Sequence, residues 1–268
     1  MYARNGFSLM LFSTCRRFIG EAVEAGVDTI VVDWECRNKR ARQAEADTEI
    51  NHDTLEDLRR VREATRARVV CRINGYHDGT PEEIERAIGA GADEILLPMV
   101  SAVEEVEKVL EHARGRCGVG ILVETEAATR LAGKLARLPL SRVFVGLNDL
   151  AIERHTPNIF TAVADGTVER VRSHFQAPFG FGGLTLPDRG RPLECRLLIG
   201  EMARLRCGFS FLRRSFHRDI TDRKLGVEIP RLRAAVDEAR RRPPLCVARD
   251  NEELLNAIRA LDPKRDFR

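Results

Sequence analysis

Two acidic residues carry the clearest chemical signal in this sequence. Glu124 directly follows a short β-branched run at 119–123, and Asp149 follows a second run at 143–145 after the turn Gly146-Leu147-Asn148. Between them, residues 126–138 have helical spacing. Strand, helix, strand in this order makes a βαβ unit, whose two strands are parallel and leave the sheet at one end. Carboxylates far apart in sequence therefore meet in space. Hard oxygen ligands on adjacent strand ends suit a divalent cation such as Mg²⁺, which keeps waters and accepts substrate oxygens. Either acid alone would read as a helix cap or part of a polar turn; at matched strand ends the pair points to a metal site.

Arg72 is the next residue of interest, inside the apolar run RVVCRI at 68–73. A guanidinium among Val, Cys and Ile is costly to bury unless it meets an anion. Two readings stay open: an ion pair with an acid of a neighbouring strand, or a planar clamp for a substrate carboxylate or phosphate. A candidate partner strand, TIVVDW at 29–34, leads into Asp33, Trp34, Glu35 and Cys36. The polar loop beyond it begins Arg37-Asn38-Lys39-Arg40 and is expected to face the site, as long polar loops after barrel strands do. His52 and His77 read as solvated loop residues.

These residues need a scaffold. Apolar strand-like runs occur at 8–12, 29–34, 68–73, 94–99, 119–123, 143–145, 179–185 and 208–213. Amphipathic segments follow most of them: 16–25 ending at Gly26, 55–65, one opening at Thr80-Pro81-Glu82-Glu83, one capped by Ser101, and 193–205. Eight such repeats predict a (β/α)8 TIM barrel. In the seventh run, FGFGGLT, the glycines allow sharp bends or close backbone approach. An open doubly wound sheet is disfavoured, because no glycine-rich phosphate fingerprint follows the first strand. Two more helices, at 228–242 and 251–261 with Pro243-Pro244 between them, close the chain. Residues 1–225 are thus expected to form the barrel, and 226–268 a helical extension packing on it or on a neighbouring subunit.

Composition agrees. The chain has 268 residues, 43% of them hydrophobic, which suits one barrel. Lys+Arg (44) and Asp+Glu (41) nearly balance to a net charge of +3, so nothing calls for nucleic acid. The seven cysteines are scattered and form no CxxC pair, which argues against a zinc site or a disulfide framework. No apolar segment approaches membrane length, and the N-terminus lacks a signal-peptide pattern. The expected location is cytoplasmic.

The motifs VVDWE (31–35), CRING (71–75), GADEILLPMVSAVEEVE (91–107), ILVET (121–125) and VGLNDL (145–150) follow one another in a familiar order. Together they resemble the HpcH/HpaI aldolase and citrate lyase β-subunit superfamily, metal-dependent barrel enzymes related to the phosphoenolpyruvate/pyruvate group. The resemblance implies that Glu124 and Asp149 are ligands of Mg²⁺ or Mn²⁺. It implies that Arg72 contacts substrate oxygens beside the metal, and that Glu35 orders water or neighbouring side chains there. Asp33, Gly146 and Asn148 join Arg72 in the expected substrate site, with Asn38, Lys39 and Arg40 as loop contacts. One departure is Cys36, where the aldolases often carry a histidine for acid–base work.

The implied function is a metal-dependent carbon–carbon lyase or aldolase, working through a metal-stabilised enolate of a pyruvate-like 2-oxo acid. The alternatives are an acyl-CoA (malyl- or citryl-type) lyase or thioesterase, and a barrel without catalysis used for binding or assembly. A homo-oligomer is expected.

Overall fold

The structure, a computed structural model, describes residues 6–36 and 53–262. Its strands are β1 (Ser8–Phe12), β2 (Thr29–Asp33), β3 (Arg68–Arg72), β4 (Glu94–Leu97), β5 (Gly118–Val123), β6 (Arg142–Val145), β7 (Phe179–Phe181), β8 (Gly183–Leu184) and β9 (Phe209–Leu212). They form one parallel sheet in the order β7-β6-β5-β4-β3-β2-β1-β9-β8. Only Gly182, at φ 55°, separates β7 from β8. Because β7 pairs with β6 while β8 pairs with β9, the two are halves of one bent strand that hands the ladder across and nearly closes the ring. This is the expected TIM barrel, and the bend falls in the glycine-rich run. Gly180 makes the closure possible: a Cβ there would sit 2.5 Å from the carbonyl oxygen of Phe209.

The helices are α1 (Arg16–Ala25), α2 (Leu55–Ala64), α3 (Thr80–Gly89), α4 (Val103–Ala113), α5 (Glu126–Leu135), α6 (Leu147–Glu153), α7 (Thr161–Ala164), α8 (Thr167–His174), α9 (Cys195–Arg204), α10 (Arg214–Asp219), α11 (Leu225–Arg241) and α12 (Pro244–Ala260). Two expected caps are displaced by one residue. Gly79, not Thr80, precedes α3, and the Thr80 hydroxyl accepts from the His77 N–H at 2.9 Å. Ala102, not Ser101, precedes α4; the Glu105 carboxylate reaches back to accept from Ser101 N–H and hydroxyl. Both terminal helices begin earlier than expected, α12 with Pro244 in its first turn, where a missing N–H costs nothing.

Side chains alternate across each strand, so the barrel interior is stacked in layers. The middle layer is apolar: Met10, Val31, Val70, Leu96, Leu122, Phe144 and Phe211, with Phe209 packed against it from one layer below. Two residues earlier on β3, β4 and β6 stand Arg68, Glu94 and Arg142, a polar floor. Arg142 Nη2 donates to Glu94 Oε2 at 2.6 Å and Arg68 Nη1 at 3.1 Å. Ser141 Oγ donates to the other Glu94 oxygen at 2.7 Å, so this buried carboxylate is fully partnered. Two residues after the middle layer comes the C-terminal rim: Phe12, Asp33, Arg72, Glu124, Gly146 and Arg213. A larger apolar cluster fills the space between strands and helices. The last helices belong to that shell, with α11 against α1 and α9, and α12 against α9 and α7. Among the described residues no helix is long and apolar enough to cross a membrane.

Candidate active site at the C-terminal rim

β2 and β3 pair in register, so Asp33 lies beside Arg72. Arg72 grips it with both prongs, Nε to Oδ1 at 2.8 Å and Nη2 to Oδ2 at 2.6 Å. Its third nitrogen, Nη1, faces Glu35 Oε2 at 3.3 Å. The ring of Phe12 lies under the guanidinium, 5.2 Å from its centroid. Burial alone would weaken the charge on Arg72. The carboxylates of Asp33 and Glu35, the hydrogen bonds to Asp33 and the charge of Glu124 outweigh it, and hold the guanidinium above its ordinary range. The ion-pair reading of Arg72 is therefore realised. Asp33 is fully buried and has both oxygens on Arg72.

Glu124 is buried at the exit of β5, and Oε1 accepts from the Met99 N–H at 2.9 Å. Met99 adopts a left-handed backbone (φ 55°) to present that N–H, a strained conformation of the kind that gathers at functional sites. Burial first, then the charges of Asp149 and Glu35, push the Glu124 carboxyl up to about 8, against the opposing pull of Arg72 and the Met99 N–H. Thr125, rather than Glu124, caps α5, its hydroxyl accepting from Ala128 N–H at 3.0 Å. Glu124 is thus released from the capping role that its position alone would suggest. Asp149 lies in the first turn of α6, with Asn148 beside it and Gly146 as the residue preceding the helix. Gly146 is a cradle for Glu124: a Cβ there would stand 2.4 Å from Oε2 and 2.9 Å from the Glu124 Cβ.

This donor set fits a hard divalent cation. Two carboxylates from consecutive strand exits share one field, one of them raised in pKa by burial and then by the charges of its acidic neighbours. Among the described residues no group of three or more His, Cys, Asp or Glu side chains is arranged to hold a metal ion. A cation here would draw its remaining ligands from water and substrate, as Mg²⁺ commonly does.

A supporting layer was not evident from sequence. Glu83 of α3 accepts from Asn74 Nδ2 at 2.7 Å and from Asn74 N–H at 3.1 Å. Asn74 Oδ1 in turn accepts from the Cys36 N–H at 3.0 Å, fixing the chain just past Glu35. His77 is not a solvated loop residue: its Nδ1 accepts from Gly79 N–H at 2.9 Å, which leaves Nε2 to donate to Glu83 at 3.1 Å. Where the chain returns, Asp53 Oδ2 accepts from Asp33 N–H at 2.8 Å and Thr54 O accepts from Trp34 Nε1 at 3.0 Å. Burial, and then the charges of Asp33 and Asp57, raise the Asp53 carboxyl above its usual range despite that hydrogen bond. The expected loop contacts Asn38, Lys39 and Arg40, and also His52, lie outside the described residues.

Comparison with known proteins agrees with this architecture. The crystal structure of an HpcH/HpaI aldolase from Desulfitobacterium hafniense DCB-2 superposes with TM-score 0.60 at 13% identity, covering 89% of this chain and 95% of that one. The citrate synthase SbnG gives TM-score 0.57 at 19% identity, with 81% and 91% covered. A tryptophan synthase from M. tuberculosis, solved in an open form with BRD0059 bound, gives 0.54 at 16%, with 87% and 91% covered. At these identities the likeness is one of fold. No curated protein sequence matches the chain. Residues 8–156, from β1 through α6, match the family described as HpcH/HpaI aldolase/citrate lyase. That span contains Asp33, Glu35, Arg72, Glu124 and Asp149, and by it the chain belongs to the HpcH/HpaI aldolase/citrate lyase family.

Proposed function

We propose that the chain is a divalent-metal-dependent carbon–carbon lyase or aldolase whose substrate is a 2-oxo acid. Family membership supports the lyase class. The observation that carries the metal and the substrate is the rim itself, where buried Glu124 sits in the fields of Asp149 and Glu35 with one guanidinium close by. Glu124 and Asp149 would hold Mg²⁺ or Mn²⁺, which when bound supplies Lewis-acid charge at the oxygens of the 2-oxo acid.

The chain's own residues do the rest. Asp33 is a positioning residue, because its two-pronged grip sets the plane of Arg72. Nη1 of Arg72 faces Glu35, and its second N–H is the one to meet a substrate oxygen. As the carbon–carbon bond of a hydroxy-oxo acid breaks, its electron pair becomes the enolate and the hydroxyl gives up a proton. Arg72 stabilises the negative charge that develops only then, which lowers the barrier. We assign the proton transfer to Glu35, the buried carboxylate beside Arg72. Gly146 keeps the volume that Glu124 needs, and Asn148 lies next to Asp149 on the same helical turn.

The test is turnover with a panel of 4-hydroxy-2-oxo acids and oxaloacetate, read as pyruvate formed, with and without Mg²⁺ or Mn²⁺. Metal-dependent pyruvate release that disappears in Glu124→Gln is expected, together with a metal-induced rise in melting temperature that also disappears. Absence of any shift with either ion would defeat the metal assignment, and failure of every 2-oxo acid alongside an intact shift would defeat the substrate assignment.

A further inference from the structure

The rim carries a second cation whose surroundings differ from those of Arg72. Arg213 follows β9, two residues after the interior Phe211, so the pleat puts its Cβ on the lumen face. A Cβ on Gly183 would stand 2.8 Å from the Arg213 Cβ, so β8 is bare where Arg213 passes. The guanidinium then extends to the loop after β8, where a Cβ on Gly190 would stand 3.1 Å from Nη2. Arg72 is enclosed by carboxylates; the Arg213 side chain makes no hydrogen bond or ion pair among the described residues, and its Nε is buried without a partner. Ser215, two residues on in the first turn of α10, has a buried hydroxyl that is also unpartnered.

Burial, with the like charge of Arg218 adding to it, lowers the Arg213 pKa despite opposing effects from Cys195 and Asp219. The nearest candidate counter-ion is occupied: Asp219 accepts from the Thr185 hydroxyl and lies 3.7 Å from Arg218 Nε. Gly190 is flanked by Arg189 and Arg191, exposed side chains with no ion pair among the described residues. A half-buried guanidinium whose Nε is sealed from water without an anion is an unfavourable arrangement for a folded chain to retain. An incoming oxyanion would relieve it. The loops after the last two strand positions are also where barrels often bind phosphate.

We propose that Arg213, with Ser215 and the Arg189-Gly190-Arg191 turn, forms a binding site for a phosphate group carried by a ligand of this barrel. Arg189 and Arg191 flank the glycine that Arg213 reaches, so a dianion bound at Arg213 would gain more from the local positive charge than a carboxylate monoanion. The site shares no residue with the Glu124–Asp149 pair, so it stands or falls independently of the metal.

Inorganic phosphate is the first probe, followed calorimetrically on the full chain without added metal. Saturable binding is expected in wild type and in Glu124→Gln. Affinity should fall about tenfold or more in Arg213→Gln, fall less in Ser215→Ala, and be partly kept in Arg213→Lys. Acetate should bind more weakly than phosphate. Glycerol 3-phosphate and adenosine 3′,5′-bisphosphate then tell a small phosphorylated substrate from a nucleotide-like carrier; tighter binding of either than of phosphate supports the site. Absence of saturable phosphate binding overturns the proposal, as does binding unchanged in both Arg213 variants. Should Arg213→Gln melt well below wild type while Arg213→Lys folds normally and binds phosphate like wild type, the guanidinium is a strut for the loop, and the proposal fails equally.

Discussion

Glu124 makes the metal-free chain sensitive to pH in a defined direction. Its carboxyl takes up a proton near pH 8 in the folded chain against an ordinary 4.5. Between those values the folded state holds the extra proton, so stability contributed by this group is full below about pH 4.5 and declines as pH rises to about 8. The difference in melting temperature between wild type and Glu124→Gln should therefore change across that window and level off above it, with wild type losing ground as pH rises. Cation binding displaces the same proton, so apparent Mg²⁺ affinity should climb with pH and flatten above about pH 8; a flat affinity between pH 6 and 8 would contradict a protonated Glu124. Arg72→Lys keeps the charge but loses the fork that matches Asp33. It should cost about 1–3 kcal/mol of stability while lowering turnover about 100-fold or more, measured by denaturation and by pyruvate release. A variant that loses stability but keeps turnover would return Arg72 to a purely structural ion pair.

At the scale of elements, the two ends of the barrel divide stability from chemistry. Glu94 and Arg142 form a floor below the apolar layer, far in sequence yet paired through β4, β5 and β6. Arg142→Met would leave Glu94 buried with only Arg68 and Ser141, and should cost about 3–5 kcal/mol without changing Mg²⁺ affinity in the folded fraction. The closure of the ring is equally local. Gly180→Ala forces a methyl against a carbonyl oxygen that cannot swing away, and should cost about 1–3 kcal/mol. Most strands were legible because short β-branched runs between glycine-punctuated helices have few alternatives, and Glu124, Asp149 and Arg72 were legible because each stands at such a run's end. The Glu83–Asn74–Cys36 chain of hydrogen bonds was not, since it joins a helix, a loop and a strand exit with no spacing rule between them. The helix caps were missed for a similar reason: Glu105 reaches back to Ser101, so the side chain that covers the helix start is not the one before it. The grip of Asp33 on Arg72 was not read from spacing, because it depends on the register in which β2 pairs with β3.

At the scale of the molecule, the last two helices behave as part of the barrel's shell. Arg233 of α11 donates to the Gly26 carbonyl at 3.0 Å and pairs with Asp28, gripping the turn between α1 and β2. Asn158 Nδ2 donates to the Ile258 carbonyl at 3.1 Å, and Asn251 Nδ2 to Glu201 Oε2 at 2.8 Å, tying α12 to the segment before α7 and to α9. Leu254 and Ile258 are wholly buried in the same cluster that surrounds the strands, while Leu245, at the start of α12, is 87% exposed. Leu254→Ala should therefore cost about 2–5 kcal/mol, and Leu245→Ala less than about 0.5 kcal/mol. The cooperativity of that loss is the sharper observable. If α11 and α12 fold with the barrel, Leu254→Ala lowers a single transition, and near-ultraviolet and far-ultraviolet melts of the variant coincide. If they formed an independent extension, the variant would melt in two steps, with the helices lost first and metal-induced stabilisation confined to the second. The hydrogen bonds from both helices into the barrel's own turns favour the single transition, so a fragment of residues 1–224, ending before α11, should bind Mg²⁺ poorly for lack of a stable barrel rather than for lack of ligands.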